Sequence, residues 1–342
     1  MNKEQQERYQ RQTVFPHIGE AGQEKLLSSK AAVFGIGALG SVIAEKLARA
    51  GVGYLRLVDR DYVELTNLQR QAMYTEKDAA DGLPKAVAAA LHIAEINAGV
   101  TTDPVVTDIN AGNIESLIAD MDIVLDGSDN FELRALICEA CHKHSVPWVY
   151  GGALGASGAT MNILPGDGPC FRCITPEIPA PGSYPTCATA GVIGMITAVI
   201  ASIQATEAVK ILIGSEDVSH RYLSVDLWNN AFDSVTILKD EDCPVCGKGE
   251  YALLEAGVPE DTVTPLCTPG SFQVSAAAPI GIDLDAFAQR LSAIGLVMHN
   301  PYLLRFDAGP VSFNLFKDGR AVIRGAKDEA HARTIYSEYI GL

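Results

Sequence analysis

Residues 30–71 read KAAVFGIGALGSVIAEKLARAGVGYLRLVDRDYVELTNLQRQ, and their pattern decides the fold. A short apolar run, residues 31–34, leads into Gly35-Ile36-Gly37-Ala38-Leu39-Gly40. A helical pattern follows to about Ala50, where Gly51 and Gly53 stop it. A second apolar run, residues 54–58, ends at Asp59. Strand, glycine turn, helix, strand and acid, in that order, mark a nucleotide-binding unit. Gly35 allows a tight turn, Gly37 lets backbone N–H groups approach a phosphate, and Gly40 lets helix and strand pack closely. The helix N-terminus then offers unpaired N–H groups to the anion. Asp59 falls near the ribose-binding position of such a unit.

Directly after Asp59 come Asp61, Glu64, Asn67, Gln69, Arg70 and Gln71. A dense polar run at a strand end lies where α/β sheets bind ligands; an ordinary solvated loop is the plainer reading. Pro84-Lys85 opens the next helix. A cation at a helix N-terminus opposes the dipole, so Lys85 is expected to meet an anion. His92, among alanines and isoleucines, reads as a packed or surface histidine. Residues 122–125 form a short apolar strand that ends in Asp126-Gly127-Ser128-Asp129-Asn130. Acids at such a strand end suit Mg²⁺ and phosphate, while Asp129 or Asn130 also suits a helix N-cap. Residues 146–150 are another strand. The glycines and small residues after it predict a sheet that changes direction, with later strands antiparallel.

Two CxxC knuckles stand far apart in the chain. Cys170-Phe171-Arg172-Cys173 is one, and Cys243-Pro244-Val245-Cys246-Gly247 is the other. Together they fit a closed tetrahedral zinc site of structural type. Cys138 and Cys141 share one face of a helix and read as buried small apolar residues. Cys187 ends a Pro/Gly-rich stretch, residues 176–185, that reads as a mobile loop, and it stands before a long helix. There a thiol can have a lowered pKa and act as a nucleophile, or it can simply be buried; spacing leaves both open.

A net charge of −16 argues against a nucleic-acid or anionic-membrane surface. The polar N-terminus, MNKEQQERYQRQ, is no secretory signal, so a cytoplasmic setting with reduced thiols is expected. The most apolar long segment, residues 190–213, is interrupted too soon for a comfortable membrane span and reads as a buried core helix. Residues 4–28 look helical, and Arg8, Arg11 and Gln12 read as a solvated face. Residues 250–270 read as a linker, and residues 271–342 as a small α+β module. In it, strands at 271–275, 303–306, 311–316 and 321–324 accompany helices at 284–294 and 327–339. A hairpin turn falls at Lys317-Asp318-Gly319.

The motifs RYQRQ, GIGALGS, VDRDYVELTNLQRQ, LPK, DGSDN, CFRC, TCATAGVIG and CPVC together resemble the ThiF/MoeB-type adenylyltransferases of ubiquitin-like sulfur carriers. These are bacterial relatives of ubiquitin-activating enzymes. The resemblance covers about residues 7–248, and the tail resembles extensions on some ThiF-like proteins. It implies an α/β fold: a Rossmann-like, mostly parallel sheet continued by antiparallel strands. Residues 1–249 would form the ATP-binding domain. It implies ATP, Mg²⁺ and Zn²⁺, and a sulfur-carrier protein (ThiS- or MoaD-like) ending in Gly-Gly. The carrier's terminal carboxylate would attack the α-phosphate and release pyrophosphate, for thiamin or molybdopterin synthesis.

By the same resemblance, Gly35, Gly37 and Gly40 cradle the nucleotide, and Asp59 binds ribose hydroxyls with Asp61 beside it. Asn67, Arg70 and Lys85 hold phosphates, and Asp129 stands at Mg²⁺ and the reacting phosphates. Arg11 matches an arginine that crosses a homodimer interface to the neighbouring site, which replaces the solvated-face reading. Cys170, Cys173, Cys243 and Cys246 match the zinc ligands. Cys187 matches a cysteine linked to sulfur transfer in ThiF-like members and dispensable in MoeB-like ones. A cysteine desulfurase or another persulfide donor is then an expected partner. An NAD-dependent oxidoreductase would share the glycine turn and Asp59 but leaves Lys85 and both knuckles unexplained. A relative acting on a modified tRNA base or on a peptide is a closer alternative, and the acidic charge weighs against tRNA.

Overall fold

In the computed structural model, residues 30–58 adopt the expected order: β1 (Lys30–Phe34), the helix Gly40–Ala50 and β2 (Tyr54–Val58). Residues 1–166, 168–180, 183–257, 262–265, 270–275 and 281–341 are described. The other strands of the same sheet are β3 (Thr101–Val105), β4 (Ile123–Asp126), β5 (Trp148–Leu154), β6 (Ser157–Ile163), β7 (Tyr222–Asp226) and β8 (Ala231–Val235). Their order is β3-β2-β1-β4-β5-β6-β7-β8. Strands β1 to β5 pair in parallel, and β5 to β8 continue antiparallel. The predicted change of direction thus falls at β5–β6.

Strand order reverses between β1 and β4. In open α/β sheets that reversal leaves a crevice beyond the carboxyl ends, where ligands bind. The central parallel strands are buried on both faces. Ala31, Val33, Ile123 and Leu125 on one face and Ala32, Phe34 and Val124 on the other have no exposed surface. That is why these strands read as short continuous apolar runs rather than alternating ones.

The helix Gly194–Ile213 is long and apolar enough to cross a membrane by length and composition, and half of its apolar window is buried. It packs across β5 and β6, as expected of a core helix. Two boundaries differ from the sequence reading. Residues 4–28 form two helices, Lys3–Thr13 and Gly19–Ser28. The apolar segment starts later than expected, because Gly191 turns left-handed (φ 75°) and detaches a short helix, Cys187–Ala190.

Two compact units are present: Met1–Ala80 with Pro84–Gly257, and Asp81–Leu83 with Val258–Leu342. The second has its own antiparallel sheet, built from β9 (Thr262–Pro265), β10 (Ser271–Ser275), β11 (Leu296–His299), β12 (Leu303–Asp307), β13 (Ser312–Phe316) and β14 (Ala321–Arg324). The order is β11-β12-β13-β14-β10-β9. Val274, Leu304, Phe306, Phe313, Leu315 and Ile323 form a core with the helices Leu284–Leu291 and Glu329–Tyr339. The helix predicted over 284–294 ends at Leu291, because residues 292–294 turn ahead of β11, a strand the sequence reading missed.

Candidate active site

The glycine turn closes on itself for steric reasons. Gly35 has φ 81°, and a Cβ there would lie 2.8 Å from the carbonyl oxygen of Gly127. A Cβ on Gly40 would lie 1.8 Å from the carbonyl oxygen of Gly35. Both glycines are therefore demanded by packing. Gly37 is not: nothing lies nearer to its would-be Cβ than Gln71 Nε2 at 3.8 Å. Packing gives no reason for a glycine there, whereas an approaching phosphate would. Gln71 is itself buried, and its Oε1 has no hydrogen-bond partner among the described residues. A concave backbone beside an unsatisfied buried amide suits the nucleotide that the sequence predicts.

Asp59, at the end of β2, is buried and accepts two backbone N–H bonds, from Ile36 (2.6 Å) and Asp61 (2.7 Å). The first ties the acid to the glycine turn. Burial pushes its pKa up, against the pull of Lys85. Lys85 is the first residue of the helix Lys85–Ile96, with Pro84 as N-cap. It is buried, and its Nζ lies 3.1 Å from Asp61 Oδ2. Burial opposes its charge, yet Asp61 and Asp59 outweigh that and hold its pKa well above an ordinary lysine. The anion that Lys85 was expected to meet is thus a carboxylate in this structure. Asn67 is buried, and its Oδ1 accepts from the Glu64 N–H (3.0 Å). Arg70 Nη1 donates to the Thr66 carbonyl (2.9 Å).

At the end of β4 the two roles predicted for Asp129 and Asn130 separate. Asn130 caps the helix Phe131–Lys143, its Oδ1 accepting from the Leu133 N–H (2.7 Å). Asp129 stays exposed, close enough for its charge to help raise the pKa of both Lys85 and Arg60. Asp126 is fully buried and structural. Its Oδ1 accepts from the Ser128 N–H (2.8 Å) and hydroxyl (2.6 Å), and Arg134 Nε lies 3.3 Å from Oδ2. Arg134 also donates to the Ser128 (2.8 Å) and Gly151 (3.1 Å) carbonyls, fixing the loop that carries Asp129.

The knuckles come together elsewhere in the same unit. Cys170 and Cys243 Sγ are 3.5 Å apart, Cys173 and Cys246 Sγ 3.4 Å, and all four sulfurs lie within 4.8 Å of one another. Sulfurs around tetrahedral zinc are separated by about 3.8 Å, given Zn–S bonds of about 2.3 Å. The set fits that ion and leaves no open position. Cys138 and Cys141 are buried, as the sequence implied.

Cys187 is the first residue of its short helix, not of the long one, which corrects the expected position. Its Sγ lies 3.8 Å from the Ala153 carbonyl oxygen. Three residues earlier, Tyr184 packs edge-on to Phe131 (4.8 Å), beside the Asp129 loop. Residues 181–182, within the loop before it, lie outside the described residues. Arg11 is exposed in the last turn of its helix. Two arginines whose side chains meet acids at or beyond the strand ends escaped the sequence reading. Arg60 directly follows Asp59 and pairs with Asp108, and Arg134 pairs with Asp126. Arg60 stood in the quoted stretch, and its place after a ligand-side acid was the available signal.

Cations and an exposed acid at the strand ends of an α/β sheet that reverses its order, and elsewhere in the unit a closed cluster of four thiols that could hold a metal ion, are the marks of a nucleotide-handling α/β enzyme. The chain belongs to the ThiF family, whose model matches residues 9–245. It is 40% identical over 337 residues to the sulfur carrier protein ThiS adenylyltransferase of Bacillus subtilis, covering 98% of this chain and 99% of that one. It is 40% identical over 252 residues to the SAMP-activating enzyme E1 of Haloferax volcanii, covering 73% and 92%. A crystal structure of E. coli MccB with ATP shares the fold, with a TM-score of 0.61 at 20% identity, over 70% of this chain and 74% of that one.

Proposed function

We propose that the protein adenylylates the C-terminal Gly-Gly carboxylate of a ubiquitin-like sulfur carrier, using ATP·Mg²⁺ and releasing pyrophosphate. The observation that carries this is the meeting of the open Gly37 turn, Asp59, Lys85 and exposed Asp129 at one crevice. Full-length likeness to a ThiS adenylyltransferase favours a ThiS-like carrier and thiamin-type sulfur transfer.

Positioning and charge neutralisation do most of the work in such an in-line displacement. The Gly37 backbone admits the phosphates, and Asp59 orients the ribose. Lys85, Arg70 and Asn67 take the phosphate oxygens, with Lys85 leaving Asp61 to do so. Asp129 holds Mg²⁺, which supplies charge neutralisation at the phosphates. Arg11 reaches the neighbouring site in a homodimer. The four cysteines hold zinc and brace the fold, and Cys187 takes part in the later sulfur step with a persulfide donor. The first unit carries the reaction, and the second, whose sheet already includes β9 from within the expected 250–270 linker, forms a separate module.

The test is exchange of labelled pyrophosphate into ATP. It should require a carrier ending in Gly-Gly and vanish with a carrier lacking its last glycine. Exchange that ignores the carrier's terminus would reject the proposed acceptor.

A further inference from the structure

Arg60 has no role in the machinery above. It follows Asp59 at the end of β2, with Nη1 3.2 Å from Asp108 Oδ1 and Nε 3.9 Å from Asp61 Oδ1. The Asp108 contact is a hydrogen bond from an N–H at the edge of the guanidinium plane. The side chain still keeps about a third (32%) of its surface exposed. Asp108 is held in turn: its carbonyl accepts from Asn113 Nδ2 (2.8 Å), and Asn113 Oδ1 accepts from the Asn110 N–H (2.9 Å).

The strand ends set an order. The Gly35 N–H donates to the Val58 carbonyl (2.8 Å), and the Asp59 N–H donates to the Val105 carbonyl (3.2 Å). The glycine turn, Asp59 and the Asp108 loop therefore follow one another along the crevice. A nucleotide with its phosphates on the turn and its ribose on Asp59 carries its base toward Arg60 and Asp108. We propose that Arg60, braced by Asp108, is the wall on which the base of ATP stacks, and so sets nucleotide affinity; this rests on the adenylylation reading above. A guanidinium is planar, delocalised and weakly hydrated, and it stacks on aromatic faces. Asp108 and Asp61 also keep this arginine from swinging to the phosphates.

Titration calorimetry on the full chain tests it with two probes, ATP and inorganic tripolyphosphate. Arg60→Ala should raise the ATP dissociation constant about tenfold and leave tripolyphosphate binding unchanged. Pyrophosphate exchange at saturating ATP should stay within about twofold of wild type. Arg60→Lys keeps the charge but not the plane, and should bind ATP as weakly as Arg60→Ala. If Arg60→Ala fails to fold, Asp108→Asn should weaken ATP about threefold with tripolyphosphate again unaffected. Equal loss of both probes would make Arg60 a phosphate ligand and overturn the proposal, as would full rescue by lysine or unchanged ATP binding. A wild-type protein that binds no ATP would instead sink the adenylylation reading itself.

Discussion

At the carboxyl ends of β1, β2 and β4, cations and carboxylates are interleaved: Lys85 with Asp61, Arg60 with Asp108, Asp129 left exposed. At the knuckles, four sulfurs gather within 4.8 Å of one another. Both cations of the mixed site are paired when it is empty, so a ligand can enter and leave by trading partners with them. The four thiols lie against one another, against Cys138 and against backbone N–H groups. Neighbouring sulfur and burial push the Cys170 thiol well up, and burial with neighbouring sulfur does the same at Cys246. A divalent cation relieves both, and nothing in the set favours its release. Substitutions should therefore cost rate or binding at the strand ends, and stability at the knuckles.

The largest effect is expected at the knuckles. Cys243→Ala should take zinc from one per chain to none, by elemental analysis, and lower the Tm by on the order of 10 °C. Metal-free protein with unchanged melting would erase the contrast. Next, Asp129→Ala should lower pyrophosphate exchange about 10²-fold or more, since a transition-state anchor is lost. Its Tm should stay close to wild type, because the carboxylate is exposed. A large Tm loss would mark Asp129 as structural instead. Gly37→Ala is finer: with its nearest neighbour at 3.8 Å, the fold should tolerate a methyl, while ATP binding weakens about tenfold. Calorimetry showing normal ATP affinity would remove phosphate approach as the reason for this glycine. The smallest effect is at Cys187. Cys187→Ser should leave exchange within about twofold but abolish any reductant-sensitive carrier–enzyme adduct, because serine forms no disulfide or persulfide. Non-reducing mass spectrometry decides, and a surviving adduct would move the chemistry to another thiol. Cys267, the first alternative by sequence, lies outside the described residues.

Much of this contrast was legible in the chain because it is local. The glycine turn, Asp59 and the Asn130 cap lie within a few residues of what they act on, and CxxC spacing announces its own geometry. What escaped was non-local or hidden in weak strands. Arg60 meets Asp108 across two strand ends, and Arg134 reaches Gly151 from a different element; neither pairing leaves a periodic trace. Strand β3 reads TTDPV, and its Pro104 argues against a strand, yet proline is tolerated at a sheet edge, where β3 lies. Residues 292–294 read as one more turn of the helix that ends at Leu291, which leaves β11 only Leu296–His299 as its own signal. The detachment of Cys187 from the long helix depends on one left-handed glycine, Gly191.

The most direct measurement is the mass of the carrier itself after incubation with the enzyme and ATP·Mg²⁺. Attack at the α-phosphate predicts carrier heavier by one AMP, with the addition on the terminal glycine and pyrophosphate released in equal amount. Carrier bearing a phosphate instead, with ADP as the product, would place the attack at the γ-phosphate and contradict adenylylation.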